Sequence, residues 1–114
     1  MKGAFEEGAP EAKPEQRRER AVEGPCKEMA RKDGWFVRKH RTPGHNGAPD
    51  DYFAKNGRVF WVEFKKPGEE PDPDQLACHA EMRAAGLTVY VCDNKKHFQW
   101  ILTCENGIAD AWAR

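Results

Sequence analysis

Apolar positions are almost missing from residues 1–13, a mixture of Gly, Glu, Ala and Pro that reads as a disordered lead-in. Residues 14–32 are charged and carry Val22 as their sole β-branched residue, which is helix chemistry beginning after Pro14. Gly24-Pro25 interrupts the run, because an internal proline removes a hydrogen bond and crowds the preceding turn; a kinked helix or two short ones both satisfy the pattern. Asp33-Gly34 closes it with a left-handed cap. Trp35–His40 then reads as a strand, residues 42–49 as a turn-rich loop and Asp51–Ala54 as a short strand. Asn56-Gly57 is a hairpin turn. The clearest strand is Arg58–Lys65, with Phe60, Val62 and Phe64 on one face and Trp61, Glu63 and Lys65 on the other. After a loop over 67–71, Asp72, Pro73 and Gln75 form an N-cap, a first-turn proline and a capping box, opening a helix expected to reach Gly86. Leu87–Cys92 is a continuous apolar run of the buried-strand kind. From about Lys95, Phe98, Ile101 and Leu102 recur at helical spacing.

The order is therefore α-β-β-β-α-β-α, and the step from residue 58 to 92 is expected to be a right-handed parallel crossover. A mixed sheet flanked by helices is the α/β architecture this order favours. At 114 residues the chain is expected to be one domain over 14–114 behind the lead-in. No run approaches the ~18 apolar residues of a membrane span, and the N-terminus lacks the apolar stretch of a secretory signal; a cytoplasmic location, in a bacterial or infected host cell, is the expectation. Cys26, Cys78, Cys92 and Cys104 are too far apart in sequence for a zinc knuckle and are read as reduced thiols.

Net charge is zero, which by itself argues against a polyanionic partner. The distribution changes that picture. Residues 31–66 hold nine Lys/Arg and four Asp/Glu, whereas residues 67–81 hold five acids and no Lys or Arg. A basic surface beside an acidic cluster suits a metal-dependent enzyme acting on phosphate. No P-loop, G-x-G-x-x-G or G-x-S-x-G occurs, so nucleotide-driven and serine-hydrolase chemistries fall away.

The informative stretch is 47–75. A hairpin closing at Asn56-Gly57 sets Asp50 opposite Glu63, so two carboxylates converge at adjacent strand ends. Such a pair repels unless a cation lies between, and oxygen ligands with open positions suit Mg²⁺ or Mn²⁺. Lys65 shares the face of Glu63, where an ammonium stabilises developing phosphorane charge or helps deprotonate the attacking water. This is equipment for phosphodiester hydrolysis.

Gly47-Ala48-Pro49-Asp50, then Val62-Glu63-Phe64-Lys65-Lys66-Pro67-Gly68, then Gln75, with Gly86, Val89, Val91 and Asp93 following, resembles the PD-(D/E)XK nuclease superfamily. More narrowly it is similar to the small standalone VRR-NUC domains of viruses and bacteria, over roughly residues 15–104. The resemblance implies a restriction-endonuclease-like fold. It also implies Asp50 and Glu63 as metal-binding acids, the Phe64 backbone carbonyl as a third ligand, Lys65 as the catalytic lysine and Gln75 as an active-site glutamine. The family's first-helix acid matches Glu23, although Gly24-Pro25 directly after it departs from the pattern and leaves Glu19 and Glu28 as alternatives. Without the resemblance, each of these residues has an ordinary reading: a turn aspartate, an exposed Glu–Lys strand face, a capping glutamine.

Arg38, Lys39, Arg41, His45 and Lys66 are candidate contacts to a DNA backbone, or else a solvated face. His40 and His45 lie near the expected metal, but the second half of an HNH-type motif is missing downstream. Trp35, Trp61, Trp100 and Trp112 read as packing or interface residues in preference to base-stacking ones. The expectation is a Mg²⁺- or Mn²⁺-dependent deoxyribonuclease, and the superfamily resemblance implies a cut that leaves a 5′-phosphate. Standalone relatives further imply a homodimer cutting branched DNA such as four-way junctions. A monomeric flap or single-strand nuclease, and a DNA-binding module with a vestigial metal site, are the alternatives.

Overall fold

The computed structural model describes residues 14–113, with side chains from Arg20 onward. The expected lead-in over 1–13, and Glu19 as a candidate acid, lie outside the described side chains. Three helices and four strands follow in the expected order: α1 (Pro14–Lys32), β1 (Phe36–Lys39), β2 (Asp51–Lys55), β3 (Arg58–Phe64), α2 (Pro73–Ala84), β4 (Val89–Cys92) and α3 (Lys95–Trp112). The sheet runs β1-β2-β3-β4, antiparallel across the first three strands and parallel between β3 and β4.

Period-2 alternation drives this arrangement. Val37, Phe53, Phe60, Val62 and Phe64 all point to one face and are at most 2% exposed. Phe53 stacks on Phe60 at 4.9 Å between ring centroids, and Trp35 meets Phe60 edge-on at 5.1 Å. Over this face lie α1, through Val22, Cys26 and Ala30, and α3, through Phe98, Ile101, Leu102 and Ala109. Each of the large aromatics buried here contributes on the order of 2–3 kcal/mol. The second face is covered chiefly near β4, by α2.

One alternative is settled and two details differ from the sequence expectation. Of the two readings of Gly24-Pro25 the single helix holds, since α1 runs through Pro25. Both residues are exposed, so water satisfies the carbonyl that proline leaves without a donor. The helix expected to reach Gly86 ends at Ala84, with Gly86 (φ +90°) turning the chain. The run Leu87–Cys92 is not a doubly buried strand. It pairs only over Val89–Cys92, at the sheet edge, with Val89 and Cys92 buried and the two residues between them half-buried.

Candidate active site

The β2–β3 turn carries positive φ at both Asn56 (54°) and Gly57 (86°), which only an Asn-Gly type of pair adopts cheaply. It sets Asp51 opposite Val62, so Asp50, one residue before β2, stands opposite Glu63. Asp50 is tied at both ends. Its backbone carbonyl accepts from the His40 N–H at 2.8 Å, and its Oδ2 accepts from the Phe64 N–H at 2.8 Å. An extended residue directs its N–H and C=O towards the same neighbour, so the Phe64 carbonyl is turned to the side where Asp50 lies. The Glu63 carboxyl lies close enough to Asp50 to bear on its titration. Burial raises the Asp50 pKa, opposed by the Phe64 N–H.

Glu63 is 3% exposed and held from two sides. From α2, the Gln75 Nε2 donates to its Oε2 at 3.1 Å, while Gln75 Oε1 accepts from the Asp72 N–H at 2.8 Å. The capping glutamine thus joins the helix start to the carboxylate. One turn further along α2, buried His79 brings Nε2 to 3.7 Å from Glu63 Oε1. Burial lowers the His79 pKa, as do Arg83 and Lys65. Lys65, only 5% exposed, places Nζ 4.0 Å from Glu63 Oε2.

A second carboxyl pair sits beside the first. Asp51 is fully buried, directed towards α1, and its carboxyl lies beside that of Glu23. Lys27 lies 3.1 Å from Asp51 Oδ1 and 3.3 Å from Glu23 Oε2, and Lys39 donates to the same Glu23 oxygen at 2.8 Å. Burial would raise the Glu23 pKa, but Asp51 and the two ammonium groups outweigh it and hold the group at about 2. Burial and the adjacent Glu23 push Asp51 up to about 7.

Of the expected site residues, the fold brings together Asp50, Glu63, Phe64, Lys65 and Gln75. Glu23 stands beside the Asp50 end through Asp51, held by Lys27 and Lys39. Glu28 is exposed and lies 3.8 Å from Arg31. Arg38, Arg41 and His45 are exposed, while Lys66 is half-buried. Sequence reasoning missed Asp51, Lys27 and the approach of His79 to Glu63. Signals for all three were present: an acid at a core-facing strand position, a lysine four residues after Glu23, and a histidine four residues after Gln75.

The donor set around Asp50 is two carboxylates and a carbonyl, hard oxygen ligands that fit Mg²⁺ or Mn²⁺. Two carboxyls set side by side repel one another when both are ionised, and a divalent cation between them would offset that repulsion. Among the described residues, no three His, Cys, Asp or Glu side chains already converge as a closed metal cluster.

A solved structure described as a VRR_NUC domain superposes on this chain with a TM-score of 0.71 and 32% identity, over 75% of this chain and 95% of its own. "Putative nuclease p44" of Acyrthosiphon pisum secondary endosymbiont phage 1 is 40% identical over 79 residues, 68% of this chain and 85% of that protein. The chain belongs to the VRR-NUC nuclease family. No profile of a known family matches the sequence. The VRR-NUC assignment accounts for the mixed four-stranded sheet as a restriction-endonuclease-like fold, with the acid pair where β2 and β3 meet. Among the described residues, no helix of this VRR-NUC chain is long and apolar enough to cross a membrane.

Proposed function

We propose that this chain, with residues 14–114 as one working domain, hydrolyses phosphodiester bonds in DNA using Mg²⁺ or Mn²⁺. The observation that carries the reading is half-buried Asp50 standing opposite buried Glu63, with the Lys65 ammonium 4.0 Å from Glu63. Asp50, Glu63 and the Phe64 carbonyl would hold the ion, and Glu23 would join them once released from Lys39. The bound ion would supply Lewis-acid activation of the phosphate and a lowered pKa for water. Lys65 orients the attacking water or stabilises the charge gathering on the phosphoryl oxygens. Gln75 keeps the Glu63 carboxylate aimed by holding Oε2, leaving Oε1 beside His79. Arg38, Lys39, Arg41, His45 and Lys66 bind phosphates away from the cut, which leaves a 5′-phosphate.

A domain this small offers little surface to a branched substrate, whereas a two-fold dimer presents two sites to two strands. We therefore take a homodimer acting on four-way junctions in the cytoplasm as the leading form, with a monomeric flap or single-strand nuclease as the competitor. The test is cleavage of a synthetic four-way junction and a matched linear duplex in Mg²⁺, Mn²⁺ or EDTA, beside Asp50→Ala and with native mass measured. Symmetric, metal-dependent junction cuts by a dimer, lost in Asp50→Ala, are expected. Cutting confined to flaps or single strands would leave the nuclease and remove the resolvase. Cleavage undiminished in EDTA or in Asp50→Ala would overturn the metal-site reading.

A further inference from the structure

The sheet face opposite the core carries a continuous row of rings. Arg38 pairs with Tyr52 and Tyr52 with Trp61, so these three side chains share one row across β1, β2 and β3. Phe36 and His40 flank it. Ring centroids lie 6.2 Å apart for Phe36–Tyr52, 6.4 Å for Tyr52–Trp61 and 6.2 Å for His40–Trp61. The Arg38 guanidinium sits 4.2 Å over the Phe36 ring. Among the described residues, α1 and α3 pack on the opposite face and α2 lies against β4, so no helix covers the row. Phe36 is 48% exposed, and Tyr52 and Trp61 are half-buried, each seated against its neighbours.

Position gives the row its meaning. Trp61, Glu63 and Lys65 alternate on the same face of β3, so the indole begins about 7 Å along the strand from the metal-binding carboxylate. That is roughly one nucleotide step from a phosphate held at Glu63. Arg38 lies on the row itself and Arg41 follows β1, while the acids Glu69, Glu70, Asp72 and Asp74 follow β3 at the same end of the sheet, two strands away on the α2 side. A polyanionic strand is thereby favoured on the β1–β2 side of the sheet and disfavoured on the α2 side. A second copy of the chain fits less well. A stable interface takes about 800 Å² from each partner, and Phe36 is the row's one strongly exposed ring among the described residues.

We propose that Phe36, Tyr52 and Trp61 form a stacking platform for unpaired bases next to the scissile phosphate. The substrate class is then DNA with single-stranded nucleotides at the cut, as at a flap or an opened junction. The inference rests on the nuclease reading above and deepens it. Bases inside a duplex are already stacked on both faces, so only unpaired or extruded bases can lie on such rings. Ring–base stacking tolerates any sequence, so the platform selects structure and not sequence.

Binding, read separately from cutting, tests it. In an Asp50→Ala background with Mg²⁺, fluorescence anisotropy compares three labelled DNAs: a duplex with a single-stranded tail, the same with an abasic tail, and the plain duplex. The platform predicts that the intact tail binds about tenfold more tightly than the abasic tail. Adding Phe36→Ala and Tyr52→Ala together abolishes that difference and leaves duplex binding within about twofold. Tyr52→Phe keeps the ring and keeps the difference, which separates stacking from a folding defect. Equal affinity for intact and abasic tails, or equal loss on all three DNAs, overturns the platform while leaving metal-dependent cleavage by the unsubstituted chain intact. A dimer converted to monomer by the double substitution, with base discrimination retained, assigns the face to a second copy instead. No DNA binding together with no metal-dependent cleavage would remove both readings.

Discussion

At the scale of single residues, the informative surprise is Asp51. It follows the motif aspartate, faces the core side and is fully buried, yet it has found Lys27 at 3.1 Å and Glu23. The pair titrates in opposite directions. Glu23 sits at about 2 when folded against an ordinary 4.5, so the unfolded chain binds the extra proton and stability rises with pH between those values. Asp51 sits at about 7 when folded against an ordinary 3.8, so the folded chain holds the extra proton and stability falls as pH climbs towards 7. Asparagine keeps the shape and cannot ionise. Metal-free melting of the parent chain and of Asp51→Asn between pH 4 and pH 8 should therefore diverge, the parent losing ground to the variant as pH rises towards neutrality. Parallel melting curves would show that Asp51 ionises at its ordinary value.

At the scale of elements, the loop before β2 and the start of α2 act as one support. Gly47 adopts φ +90° and lies so close to α2 that a Cβ there would fall 2.3 Å from the Asp74 carbonyl oxygen. Asp50 hangs from one side of this contact and Gln75 from the other. Gly47→Ala should cost about 1–3 kcal/mol in urea denaturation and reduce metal-dependent cleavage further than the stability loss explains, because the backbone must part where the acids are aimed. Gly44 has a similar φ of +84° but open space around it, so Gly44→Ala should be milder on both counts. Equal effects at the two positions would show that the approach to α2 does not matter. The sequence marks both glycines as turn residues. Which of them meets another element depends on where α2 docks.

At the scale of the molecule, α3 is joined to the sheet by a buried charge as well as by its apolar stripe. Glu105, on the inward face of α3 and fully buried, receives Arg58 of β3 at 2.6 and 3.0 Å and the Tyr90 hydroxyl of β4 at 2.6 Å. Removing one partner of such a pair leaves the other without compensation. Glu105→Ala should cost about 3–5 kcal/mol in chemical denaturation, with Glu105→Gln recovering part of that loss through its remaining hydrogen bonds. A cost below about 1 kcal/mol would mean that Arg58, 18% exposed, simply rehydrates.

What the sequence alone determined is the local and periodic part of this protein. Alternation along Arg58–Lys65, the Asn-Gly turn and the Asp72-Pro73-Gln75 helix start each depend on residues a few positions apart. Together they were enough to order the elements, choose the hairpin register and set Asp50 against Glu63. The helix through Pro25 was not decided locally, since packing of Val22, Cys26 and Ala30 on the sheet outweighs one missing hydrogen bond. Nor was the surrounding of the acids: Lys27, Lys39, Asp51 and His79 reach them from separate elements, and only the docking of α1 and α2 brings those side chains within range. The aromatic row is likewise a tertiary result. Phe36, Tyr52 and Trp61 come from three strands, and how far each is covered depends on helices packing over one face of the sheet and against only one end of the other.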